Sequence, residues 1–122
     1  MNEKIIDLAQ AKKSSSTAYA GRPEGEEARK IFKLDSIDKD KSIKVEVVFP
    51  PNTTSLNPSF FLGLFFKSYK RLGKKRFNDK FKFNLNSVEV SIKENIRKDI
   101  SDGIEECERT INSNNSIRAL FK

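Results

Sequence analysis

An α/β fold is predicted by three features of this chain. Ile43, Val45, Val47 and Phe49 alternate with Lys44, Glu46 and Val48, the period of a strand. Phe60 to Tyr69 is apolar around most of a helical circumference. The two kinds of segment succeed one another in the order β-α-β-α-β-α, which favours a small mixed sheet with covering helices and parallel pairing between strands joined by a helix. The 122 residues suit one domain, and 36% apolar content in clusters supports a packed core despite 34% charged residues. We therefore read residues 1–122 as a single domain.

Ile5, Ile6 and Leu8 make Glu3 to Leu8 a short first strand. Residues 11–21 are small, polar and serine-rich and read as a loop. A helix is predicted over Pro23 to Leu34. Its proline sits in the first turn, where no N–H is needed, with Glu24, Glu26 and Glu27 near the positive end and Arg29, Lys30 and Lys33 near the negative end. Asp35 to Lys41 reads as a charged connection and Ser42 to Phe49 as the central strand. Pro50-Pro51 ends that strand because neither residue can donate to a ladder.

Asn57 and Pro58 are a good N-cap and first helical residue for a second helix, Pro58 to Leu72, with Gly73 placed to stop it. Lys74 to Asp79 reads as a basic loop. Phe81, Phe83 and Leu85 mark the last strand. After Ser87, a long helix carries Val88, Ile92, Ile96, Ile100, Ile104, Cys107 and Ile111 at helical spacing. Asp102-Gly103 is a candidate bend, and residues 112–122 read as a frayed tail.

Several chemistries lose their usual residues. The chain has no histidine and one cysteine, Cys107, so an internal disulfide, a cysteine zinc cluster and histidine-based nucleophile activation are excluded. No P-loop or Gly-x-Gly-x-x-Gly element is present among the glycines. Cys107 lies on the isoleucine stripe beside Glu105, Glu106 and Glu108, a setting for a packed thiol and not a reactive thiolate. No enzymatic activity, cofactor or metal is expected. The first residues, which include Asp7 and Gln10, do not read as a signal peptide. The apolar run Phe60 to Phe66 is too short to span a bilayer, so a cytoplasmic protein without membrane contact is expected.

The net charge of +7 favours an anionic partner without choosing one. Between Lys67 and Lys82 lie Lys70, Arg71, Lys74, Lys75 and Arg76, with Tyr69, Phe77, Phe81 and Phe83 interleaved. These cations are a candidate anion-binding surface, and the segment supports an alternative reading as a small nucleic-acid-binding protein. The plainer reading is a solvated basic face over core aromatics.

Two segments resemble the STAS-like domain family, small relatives of the anti-sigma-factor-antagonist domains. Gly21-Arg22-Pro23-Glu24-Gly25-Glu26-Glu27-Ala28-Arg29 is similar to the Gly-Arg and Gly-Glu-x-x-Arg elements before that family's first helix. Ser42 through Phe65 is similar to its hydrophobic strand, polar turn and Ser-Phe helix start, with Ser59-Phe60 and Phe65 at the matching spacing. Where the family often carries acidic residues, this chain has Phe49-Pro50 and Leu62-Gly63. The resemblance implies a regulatory binding module that switches partners in bacterial signalling or defence, the partner being a histidine-kinase-like ATPase or another regulator. It implies that a hydroxyl at the start of the second helix is phosphorylated to release the partner. Ser59 is the candidate acceptor, with Thr54 and Ser55 beside it; ordinary helix capping is the plainer role for this stretch. Asn57, Pro58, Phe60, Phe66 and Tyr69 are candidates for a partner surface or a homodimer contact, because this helix holds more aromatic surface than one small sheet readily covers.

Overall fold

The computed structural model of the chain describes residues 2–11, 18–19 and 21–120. Most of the expected 11–21 loop lies outside the described residues. In chain order the elements are β1 (Asn2–Asp7), a 3-10 turn (Leu8–Ala11), β2 (Ala18–Tyr19), α1 (Arg22–Ile31), α2 (Leu34–Lys39), β3 (Ile43–Val48), β4 (Ser55–Leu56), α3 (Pro58–Lys80), β5 (Phe81–Asn84) and α4 (Val90–Leu120). The fold is mixed α/β around a three-stranded sheet in the order β1-β3-β5.

Both pairings in that sheet are parallel, so the sheet is not mixed. Each neighbouring pair is joined by a helical crossover that returns the chain to the end where the previous strand began. β2 and β4 form a separate parallel pair of two residues each. Strands so short carry no periodic signal, and a contact between residues far apart in sequence creates them.

Strand register sorts the side chains. Lys4, Val45 and Phe81 align, as do Ile6, Val47 and Phe83, and these rows face the helices. Phe65 of α3 packs edge-on to Phe81 at 5.3 Å and to Phe83 at 5.7 Å between ring centroids. Phe61 and Phe77 complete the aromatic cluster, with Phe61–Phe65 at 5.0 Å and Phe77–Phe81 stacked at 4.9 Å. Buried or half-buried side chains at Ile92, Ile96, Ile100, Ile104, Cys107 and Ile111 confirm the expected inner stripe of α4.

α1 crosses α3 at unusually close range. A Cβ on Gly63 would lie 2.8 Å from the Glu26 nitrogen and closer still to the Arg22 carbonyl oxygen. Gly25 meets the backbone of Phe60 and Leu64 in the same way. Gly63 is thus required by backbone contact between two helices.

Several elements differ from the sequence expectation. The first helix stops at Ile31 and the chain turns through a left-handed Lys33 (φ 56°). The turn sends Leu34 and Ile37 into the core and closes Asp35 and Asp38 onto Arg29, so the charged connection becomes α2. Gly73 (φ 79°, ψ 168°) interrupts α3, yet residues 74–80 return to helix instead of forming a basic loop. Fully buried Phe77 and the inward-reaching Lys80 hold that last stretch, and lysine and arginine are good helix formers. Asp102-Gly103 neither bends nor breaks α4: Gly103 lets the helix lie against the Phe61 ring. The helix also runs through the expected frayed tail as far as Leu120. Among the described residues, no helix is long and apolar enough to cross a membrane.

Candidate functional site

The start of α3 is assembled by three distant segments. Asn57 lies in extended conformation, and its side-chain oxygen accepts from the Ser59 N–H at 2.8 Å. Its own N–H donates to the Tyr19 carbonyl at 2.7 Å, tying the cap to β2. One residue earlier, the Leu56 N–H donates to Asp99 Oδ2 of α4 at 3.0 Å. Pro58 supplies the first helical residue, where a missing N–H leaves nothing unpaired.

Within this frame Ser59, Ser55 and Thr54 are exposed, and Thr53 is buried. Thr53 faces Tyr19, whose hydroxyl is pushed up to about 12 chiefly by burial. Asn57 is exposed and Pro58 half-buried. Phe66 is half-buried beneath the Arg22 guanidinium, 5.9 Å from its ring centroid. Phe60 and Tyr69 are in the core at 2% and 1% exposure. Phe60 packs on Tyr19 at 5.2 Å, and the Tyr69 hydroxyl donates to the Glu108 carboxylate. Burial first, and that carboxylate second, raise the Tyr69 pKa well above the ordinary phenol value. The surface at this helix start therefore consists of Asn57, Ser59 and the Phe66–Arg22 pair, and Phe60 and Tyr69 lie in the core and are not part of it.

The basic segment divides into two roles. Lys67, Lys70, Lys74, Lys75 and Arg76 are exposed. Arg71 is exposed too but turns to Asp35 at 3.3 Å and Asp38 at 3.5 Å. Lys80 is buried and donates to the Asp40 and Ile43 carbonyls at 2.7 and 2.9 Å. Desolvation lowers its pKa, against the pull of Asp38 and Asp40. Tyr69, Phe77 and Phe81 are buried, so they offer no faces for stacking bases.

A buried polar cluster behind α3 went unread in the sequence. Arg29, 5% exposed, donates to the Leu64 carbonyl (3.0 Å), Ser68 Oγ (2.8 Å), Asp35 Oδ1 (2.7 Å) and Asp38 Oδ2 (2.6 Å). Ser68 in turn donates to Asp38 Oδ2 at 2.8 Å. The one sequence signal was Ser68 itself, a hydroxyl in phase with the buried Phe61, Leu64 and Phe65. The cluster is closed to solvent at Asp38 and joins α1, α2 and α3.

Cys107 is fully buried, and its thiol is pushed up to about 12 by burial and then by Glu106 and Glu108. That environment opposes thiolate formation. Among the described residues, no group of three or more His, Cys, Asp or Glu side chains is arranged to hold a metal ion. Comparison with family models, curated proteins and solved structures returns no match.

Proposed function

We propose that this chain is a non-catalytic regulatory binding module, a STAS-like partner-switching domain whose partner surface centres on the start of α3. The observation that carries this reading is the placement of Ser59: an exposed hydroxyl on the first turn of a helix whose body is buried. A charge added there changes the surface without entering the core. The positive end of the helix dipole accommodates a phosphate of about −1.5 to −2 charges. A partner packed on the neutral surface would then meet an uncompensated desolvation cost and leave. The partner class, a histidine-kinase-like ATPase in bacterial signalling or defence, rests on the resemblance at Gly21–Arg29 and Ser42–Phe65.

Calorimetry with a histidine-kinase-like ATPase encoded beside this chain tests the proposal. Ser59→Asp should stay folded and bind at least about tenfold more weakly, or about 1.4 kcal/mol. Ser59→Ala should bind as the parent does. Equal affinity for all three proteins would end the switch reading.

Nucleic-acid binding is the second reading, favoured by the exposed Lys67, Lys70, Lys74, Lys75 and Arg76. With the neighbouring aromatics in the core, it would rest on phosphate contacts and weaken steeply with added salt.

A further inference from the structure

The face of the parallel sheet turned away from the helices is open. On it the register aligns Ile5 with Glu46 and Lys82, and Asp7 with Val48 and Asn84. Ile5 is 69% exposed, Lys44 and Lys82 are exposed, and Val48 is half-buried. A groove of about 680 Å³ crosses this face from β1 to β5 and is bordered by Lys93 and Arg97 of α4. Parallel sheets are ordinarily covered on both faces, because a strand flanked by parallel neighbours is built to lie between two layers. Here the described residues supply one layer only.

We propose that this face is a docking surface for an acidic amphipathic helix of a protein partner. Charge selects the occupant. Lys44, Lys82, Lys93 and Arg97 line the groove against Glu3 and Glu46. The four cations outnumber the two carboxylates, and Glu46 accepts from Asn84 Nδ2 at 2.6 Å. Two of those cations have weak or local partners of their own: Lys44 donates to the Asp79 carbonyl at 3.3 Å, and Arg97 pairs with Glu94 one turn away. Exposed Ile5 gives the groove an apolar point between the charges, which an amphipathic helix meets with one stripe of leucines and flanking carboxylates.

Length fits as well. A six-residue strand such as β1 or β3 spans about 20 Å, the length of a helix of about 13 residues. Phe81 and Phe83 border the groove by their backbone only: their rings point to the helix side, packed against Phe65, and cannot stack on bases, which disfavours a single-stranded nucleic acid. A second copy bound face to face would oppose like charges. The surface lies on β1, β3, β5 and α4, apart from the start of α3, so its occupancy is independent of the Ser59 switch.

The experiment is a nuclear magnetic resonance titration of the full chain with a synthetic helical peptide of about 14 residues. The peptide carries leucines on one stripe and glutamates on its flanks. Resonances of Ile5, Lys44, Glu46, Lys82 and Arg97 should move together. Replacing the peptide glutamates by glutamine, or the protein by Lys44→Glu/Lys82→Glu, should weaken binding at least about tenfold. The double variant alters exposed side chains and should keep the parent's spectrum elsewhere. The proposal is overturned if the peptide leaves this face unmoved, or if the charge reversal does not change its affinity. A single-stranded oligonucleotide that shifts these resonances where the peptide does not would also overturn it. So would shifts that follow protein concentration with no peptide present, which would assign the face to a second copy.

Discussion

Arg29 shows how much one buried cation can organise. From α1 its guanidinium meets two carboxylates on α2 and a hydroxyl and a carbonyl on α3, and the side chain of Asp38 has no exposed surface. A buried pair of this kind need not add much net stability, but removing one member strands the other charge. Arg29→Leu should therefore cost about 3–5 kcal/mol in urea denaturation, and Arg29→Leu/Asp38→Leu should recover part of that loss. A single variant as stable as the parent would show that Asp38 finds water. Asp35 gives the cluster a pH dependence. Its hydrogen bond from Arg29, then the charge of Arg29, hold its carboxyl below the usual carboxylate range. The unfolded chain thus binds more protons than the native one just below about pH 4. The stabilisation is complete above that pH and is lost as pH falls through the depressed value. Because Asp35 is mostly exposed, screening keeps the effect small. The acid limb of urea midpoint against pH should be shallower in Asp35→Asn than in the parent.

At the scale of the element, α3 combines two opposed requirements. Its first part is buried on several sides by Phe60, Phe61, Leu64, Phe65 and Tyr69, and its last turns carry Lys74, Lys75 and Arg76 into solvent. Gly73 joins them in a backbone region that glycine alone adopts without strain. Nothing lies within 4 Å of a Cβ at this position, so packing does not forbid a side chain. Gly73→Ala should nonetheless lower stability by about 1–3 kcal/mol, through backbone strain alone. An unchanged melting curve would mean that the two parts fuse into one straight helix, with Phe77 displaced from its seat between Phe65, Tyr69 and Phe81. The position of Gly73 was legible from sequence as a helix stop. That the chain re-enters helix was not, because the decisive contacts of Phe77 and Lys80 reach the other layer and β3.

For the whole molecule, the net charge of +7 is spread over more than one surface. The exposed basic end of α3 and the cationic groove over the sheet are separate features, and neither holds the chain together. Replacing Lys74, Lys75 and Arg76 together by glutamine should leave stability within about 0.5 kcal/mol of the parent, the usual range for surface positions. If the basic end binds phosphates, the same variant should lose affinity for a short oligonucleotide and show a smaller slope of log affinity against log salt, by up to about three contacts. Unaltered affinity and slope would assign these residues to solvation alone.

Composition and local periodicity determined the class of the fold, the strand Ile43–Val48, the inner stripe of α4 and the cap at Asn57. Each depends on interactions between residues close in sequence or on the burial of one face, and both leave a period that can be read directly. Tertiary structure decided what has no period. It placed β2 beside β4, drew Arg29 onto Asp38 and Ser68, and brought Gly25 against Gly63. It also sorted the candidate surface, exposing Ser59 and Asn57 while taking Phe60 and Tyr69 into the core. An apolar helix looks alike from every side in sequence, and only the positions of the sheet, α1 and α4 settle which sides are covered. The open sheet face has the same origin: a strand's alternation marks two faces, but which face receives the helices follows from how the crossovers pack.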